Sequence, residues 1–157
     1  IKYRLKEKEA VKGAYFCAFP SFVDVYHVFS RMMERTGISV FLMLCTLDFE
    51  DRIPTSEEER LMSDTLRETI QNSARKGDFY TRYNVRQYLI MLIGINQENC
   101  QLVTKRIDEG FRKRVGSQKN VQVDYYVASV GEVCDECEER EKKNFTDNRA
   151  AWKELNE

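Results

Sequence analysis

Few side chains in this sequence have types and spacings suited to chemistry, and most of them lie between residues 75 and 88. Arg75 and Asp78 stand three apart around Gly77. A guanidinium there could grip a phosphate in a planar fork, with the carboxylate beside it as an acceptor. A structural reading competes with it: an aspartate just after a glycine is ordinary helix-exit chemistry, and Arg75 would then pair locally or face solvent. Asn84-Val85-Arg86-Gln87 forms a polar interruption between the β-rich segments Phe79–Tyr83 and Tyr88–Ile93, which reads as a hairpin tip.

Other candidates carry less. Cys134 and Cys137 form one CxxC in an acidic tail. A structural zinc site needs four ligands, and no second pair or nearby histidine supplies the rest. The cysteines are five in number and irregularly spaced, unlike a secreted disulfide framework. Cys17, Cys45 and Cys100 sit among apolar neighbours and read as core. His27, the only histidine, lies in a helical stretch without a hydroxyl or thiol partner, so triad chemistry has no support. Arg112-Lys113-Arg114 ends a helix, where positive charge suits the dipole.

The elements that must position these residues follow from periodicity. Charged residues 1–12 read as a short helix or linker. Pro20-Ser21 open a helix with Phe22, Val25, Tyr26, Phe29, Met32 and Met33 at helical spacing. Val40-Phe41-Leu42 begin a buried strand that runs to Leu47. Leu61, Leu66 and Ile70 mark a second helix, ending near Lys76-Gly77. Asn96 caps a third, with Cys100, Val103, Ile107 and Phe111 on its apolar face, and Val121–Val130 is a last strand. The order helix, strand, helix, hairpin, helix, strand predicts an α+β fold, a mixed central sheet with helices packed against it.

At the hairpin the chain resembles the GGDEF domain of bacterial diguanylate cyclases. In that family Arg-x-x-Asp precedes a segment ending in Arg-Tyr, and Gly-Gly-Asp/Glu-Glu-Phe follows at a hairpin tip. Here the stretch runs Arg75-Lys76-Gly77-Asp78, Phe79 to Arg82-Tyr83, then Asn84-Val85-Arg86-Gln87-Tyr88. The later helix, with Lys105-Arg106-Ile107, is also similar. The resemblance covers roughly residues 19–131 and implies the GGDEF, nucleotide-cyclase-like fold with its ferredoxin-like core. It implies, too, that Arg75 and Asp78 match the family's inhibitory product-binding site.

The catalytic signature is replaced. Glycines at the tip would let a nucleotide approach the backbone; Val85 sets a β-branched side chain there, and Asn84 could at best retain a positive φ. Where the family has a carboxylate that helps hold magnesium, Arg86 brings a cation, and hard divalent ions need oxygen ligands. Gln87 is neutral where the family has a further acid. The first strand presents Thr46 and Asp48, one carboxylate where a two-metal site would want several. The connection to the next helix is short and lacks the elements that resemble the family's guanine-binding region. The resemblance therefore implies no catalytic residues, no metal and no cofactor.

Cyclase-like domains of bacterial regulators that carry a bacterial transcriptional activator domain are also similar, through Gly13 to Cys17, Ser39-Val40-Phe41-Leu42 and Arg75-x-Gly77-Asp78. That implies a signalling role in a transcription regulator, with DNA contacts made elsewhere. The 25 Lys and Arg nearly balance 26 Asp and Glu, and a net charge of −1 argues against a direct nucleic-acid surface. No apolar run approaches the ~20 residues of a spanning helix, so no membrane partner is expected. The first residue, Ile1, suggests a piece of a longer cytoplasmic polypeptide.

The 157 residues are expected to divide into an N-terminal helix or linker (1–18), a degenerate GGDEF-like domain (19–131) and an acidic, helical C-terminal extension (132–157). Three functions remain open. One is a non-catalytic regulatory module that self-associates or binds another domain of its own polypeptide. The others are a cyclic-di-GMP or nucleotide receptor at Arg75 and Asp78, and a weak enzyme using an unusual triphosphate.

Overall fold

The computed structural model describes residues 1–7, 12–116 and 120–130. In chain order the elements are α1 (Lys2–Leu5), β1 (Tyr15–Phe16), α2 (Phe19–Thr36), β2 (Val40–Asp48), α3 (Ser56–Ser73), β3 (Phe79–Asn84), β4 (Gln87–Ile93), α4 (Gln97–Val115) and β5 (Gln122–Ser129). The five strands form one sheet in the order β1-β3-β4-β2-β5. β1 runs parallel to β3 and every other pairing is antiparallel, so the sheet is mixed. This is the α+β architecture that the element order predicts.

Both faces of the sheet are covered, which explains why β2 and β4 read as near-continuous apolar runs. On one face Met43, Cys45, Ile90 and Leu92 pack with Leu66 and Ile70 of α3 and Ile107 and Phe111 of α4. On the other, Leu44, Leu89 and Met91 pack with Phe22, Val25 and Phe29 of α2. α2 starts at Phe19, one residue before Pro20, because proline fits the first helical turn, where its missing N–H has no partner to lose. Gly37, in the left-handed conformation, ends it.

The sheet also recruits residues that composition assigns to the N-terminal linker. Tyr15 and Phe16 pair with Phe79 and Tyr80 at the sheet edge, and Ala14 and Cys17 are buried. Gly13 makes this possible. Its φ is +81°, and a Cβ there would lie 1.9 Å from the Gln71 carbonyl oxygen. The segment can lie against the end of α3 only if residue 13 has no side chain.

Candidate functional site

The hairpin between β3 and β4 places its tip beside the end of β2 and the first turn of α3. Asn84 pairs with Gln87, so Val85 and Arg86 alone make the turn, and Gln87 lies opposite Thr46. Tight hairpin turns commonly require positive φ, which would favour the glycines this chain lacks. Here, among the described residues, Glu50 is the one non-glycine with positive φ. Asn84 therefore does not keep the positive φ considered from the sequence. Instead its Oδ1 accepts the Arg86 N–H at 3.0 Å, an Asx turn that replaces conformational freedom with a side-chain acceptor.

The remaining polar atoms of the tip are joined to one another. Asn84 Nδ2 donates to Gln87 Oε1, and Gln87 Nε2 donates to Thr46 Oγ1 at 3.1 Å. Both amide residues are buried, and such groups are costly without partners. The Leu47 N–H donates to the Arg86 carbonyl at 2.8 Å, which fastens the tip to β2.

The Arg86 guanidinium lies 3.0 Å from Glu59 Oε2, with its centre 5.0 Å from the Phe49 ring centroid. Glu59 is within reach because α3 begins at Ser56, capped by Thr55, whose hydroxyl accepts the Glu58 N–H at 3.1 Å. Glu57, Glu58 and Glu59 fill the first turn, where the helix dipole favours carboxylates. Glu58 pairs with Arg52 at 2.7 Å.

Asp48 is engaged as well. Its Oδ1 accepts the Glu50 N–H at 2.8 Å and its Oδ2 accepts Gln122 Nε2 at 3.2 Å. Asp124, opposite Thr46 on β5, has its carboxyl pushed above the usual range, chiefly by burial and secondly by Asp48. Among the described residues, no group of three or more His, Cys, Asp and Glu side chains converges in a way that could hold a metal. As built, the tip joins the hairpin to α3 and to the sheet.

Arg75 and Asp78 come together, but on each other. Asp78 is fully buried, and its two oxygens accept from the Arg75 N–H (2.9 Å), Arg75 Nε (3.2 Å), an Arg75 terminal nitrogen (3.1 Å) and the Ile93 N–H (3.1 Å). The Arg75 guanidinium also donates to the Ile93 carbonyl at 2.7 Å. The pair ties the exit of α3 to the end of β4. Its geometry is that of the local pairing weighed from the sequence; the carboxylate that would receive a base is saturated by donors of this chain.

His27 is exposed on α2 beside the Tyr26 ring. Cys17, Cys45 and Cys100 are buried free thiols, and burial pushes all three up, away from the reactive thiolate. Arg112, Lys113 and Arg114 occupy the last turn of α4, with Arg112 paired to Asp108 at 3.0 Å. Cys134, Cys137 and the whole 132–157 extension lie outside the described residues. Sequence reasoning missed Glu59 and Phe49, the partners of Arg86. The acidic helix start was a visible signal, but its pairing across 27 residues was not.

No family model matches the sequence, and no curated protein matches it either. Solved structures do. A DGC protein from Thermotoga maritima superposes with a TM-score of 0.61 at 13% identity, covering 78% of this chain and 86% of that one. Diguanylate cyclase SiaD from Pseudomonas aeruginosa, solved with its activator SiaC, gives 0.67 at 16% identity over 85% of this chain and 55% of its own. The GGDEF domain of DgcB from Caulobacter crescentus, solved with c-di-GMP, gives 0.61 at 13% identity over 79% and 80%. The chain thus has the fold of GGDEF domains, the class to which these diguanylate cyclases belong. At such identities the likeness is one of fold.

Proposed function

We propose that this chain is a non-catalytic GGDEF-like module, a protein-interaction or dimerisation element within a cytoplasmic bacterial transcription regulator. One observation carries the reading: the Arg86 guanidinium, held on Glu59 at 3.0 Å and over Phe49, brings a cation to the hairpin position where the family resemblance expects a metal-binding carboxylate. A divalent ion there would meet like charge and would have to compete for Glu59. Asn84, Gln87 and Thr46 satisfy one another and offer no anionic ligand. Phosphoryl transfer rests on metal and positioning, so both requirements fail together.

A regulatory role is consistent with a solved neighbour, SiaD, that was crystallised with a protein activator. Another neighbour holds c-di-GMP, which keeps the receptor reading in view, but the internal saturation of Asp78 weighs against it. Incubation of the chain with GTP and Mg²⁺ or Mn²⁺, followed by product chromatography, tests the main reading. No cyclic dinucleotide is expected; its accumulation at a rate proportional to protein contradicts the proposal. Calorimetric titration with c-di-GMP is expected to give no heat, and saturable heat lost in Arg75→Ala would restore the receptor.

A further inference from the structure

The two edges of the sheet are unlike. β1 is two residues long, and so short an edge strand is a poor template for pairing with another chain. β5 runs for eight residues, and among the described residues it pairs with β2 alone. Its register against β2 is continuous, and it holds no proline, lysine or arginine, the features that usually blunt an edge. Asp124 is its one charged side chain. The bond from the Val130 N–H to the Val40 carbonyl fixes which main-chain groups are open. Antiparallel ladders alternate bonded with non-bonded pairs, so Gln122, Asp124, Tyr126 and Ala128 turn their main-chain groups toward β2. Val123, Tyr125, Val127 and Ser129 turn theirs to the open edge.

We infer that a second copy of this chain docks on that edge, β5 against β5 about a twofold axis at Tyr126, continuing the sheet. Strands related by such an axis run antiparallel, and their bonded pairs join outward-facing residues. An axis at Tyr126 sets Val123 opposite Ser129 and Tyr125 opposite Val127 of the other copy, which engages all four outward residues. The resulting pairs exchange about eight main-chain hydrogen bonds, within the ~10 ± 5 direct bonds of a typical interface. The two Asp124 carboxylates then lie ~13 Å apart along the ladder, beyond the ~8 Å over which like charge acts strongly at physiological salt. An axis at Asp124 would instead set them face to face. The side chains suit the same register. Val123, Tyr125 and Val127 are at least half-buried and line a groove of about 550 Å³ beside α4. The second strand lays its own Tyr125 and Val127 on that face, forming aromatic–β-branched cross-strand pairs along the groove. This docking rests on the reading of the chain as a dimerisation element and does not require the loss of catalysis.

Sedimentation over a hundredfold range of concentration is expected to show a monomer–dimer equilibrium. Hydrogen exchange read residue by residue then identifies the surface. In the dimer the Tyr125 and Val127 amides should be protected, and dilution to monomer should speed their exchange roughly tenfold or more. The Asp124, Tyr126 and Ala128 amides, bonded to β2, should stay protected throughout. Val127→Pro removes an outward N–H and is expected to leave a monomer with the parent's circular dichroism. Should that variant fail to fold, the alternating exchange pattern of the parent chain still decides. A strict monomer at millimolar concentration overturns the inference and leaves binding to another domain as the regulatory reading. A dimer whose Tyr125 and Val127 amides exchange freely also overturns it, while dimerisation through another face stands. Protection of those amides that is indifferent to dilution overturns it too, because a segment of the same chain would then hold the edge.

Discussion

Asp78 and Arg86, which the sequence resemblance sets at ligand and metal positions, are each engaged by groups of their own chain. For Asp78 the consequence is energetic. A fully buried carboxylate with four internal donors is stable only while those donors remain. Asp78→Ala strands the Ile93 and Arg75 N–H groups and should cost about 3 kcal/mol in urea unfolding. Arg75→Ala should cost less, because two backbone donors still serve the carboxylate. The reverse order would mean that the pair is not a structural tie. Asp124 offers a pH test. Its carboxyl is raised, by burial first and by Asp48 second, so the folded state binds the proton more tightly than the unfolded chain. The contribution of Asp124 to stability is therefore fullest in acid below the ordinary carboxylate value and is lost as pH rises through the raised value. Asp124→Asn should melt higher than the parent at neutral pH, with the difference disappearing in acid; an unchanged difference across pH removes the electrostatic explanation. Of these engagements, spacing suggested only the local pairing of Arg75 with Asp78. Arg75-x-x-Asp78 could be seen, but not that the carboxylate is enclosed, and Arg86 gave no hint of Glu59, since residues far apart in sequence meet only through the fold.

At the scale of elements most of the structure was legible, because periodicity and caps act locally. The Phe22–Met33 stripe, the apolar run from Val40, the hairpin around residues 84–87 and the Asn96 cap each announce an element, and the corresponding α2, β2, β3–β4 and α4 form there. β1 was not legible. A strand of two residues has no period, and its existence depends on the edge of β3 and on the close approach at Gly13. Gly13→Ala would combine a left-handed φ, costing an L-residue ~1–2 kcal/mol, with a Cβ pressed on the Gln71 carbonyl. The expected loss is about 2 kcal/mol or more in unfolding free energy, accompanied by faster hydrogen exchange at Tyr15 and Cys17, whose N–H groups bond β3 and its approach. A neutral substitution would show that the segment does not rest on α3.

Over the whole molecule, a five-stranded mixed sheet covered on both faces supplies the frame, and the hairpin tip lies at one end of it. There the hairpin tip, the end of β2 and the start of α3 are joined by side chains that satisfy one another. No helix among the described residues is long and apolar enough to cross a membrane. The chain has the fold of GGDEF domains, and the polar groups at the hairpin tip are turned inward, toward each other. Closure of that site against divalent metal is the central claim, and electron paramagnetic resonance of Mn²⁺ tests it most directly. With the parent chain and a non-hydrolysable GTP analogue in excess over metal, the spectrum should match that of the analogue and Mn²⁺ without protein. A protein-dependent broadening that is saturable and abolished by Glu59→Gln would place a bound ion at the tip and contradict the account.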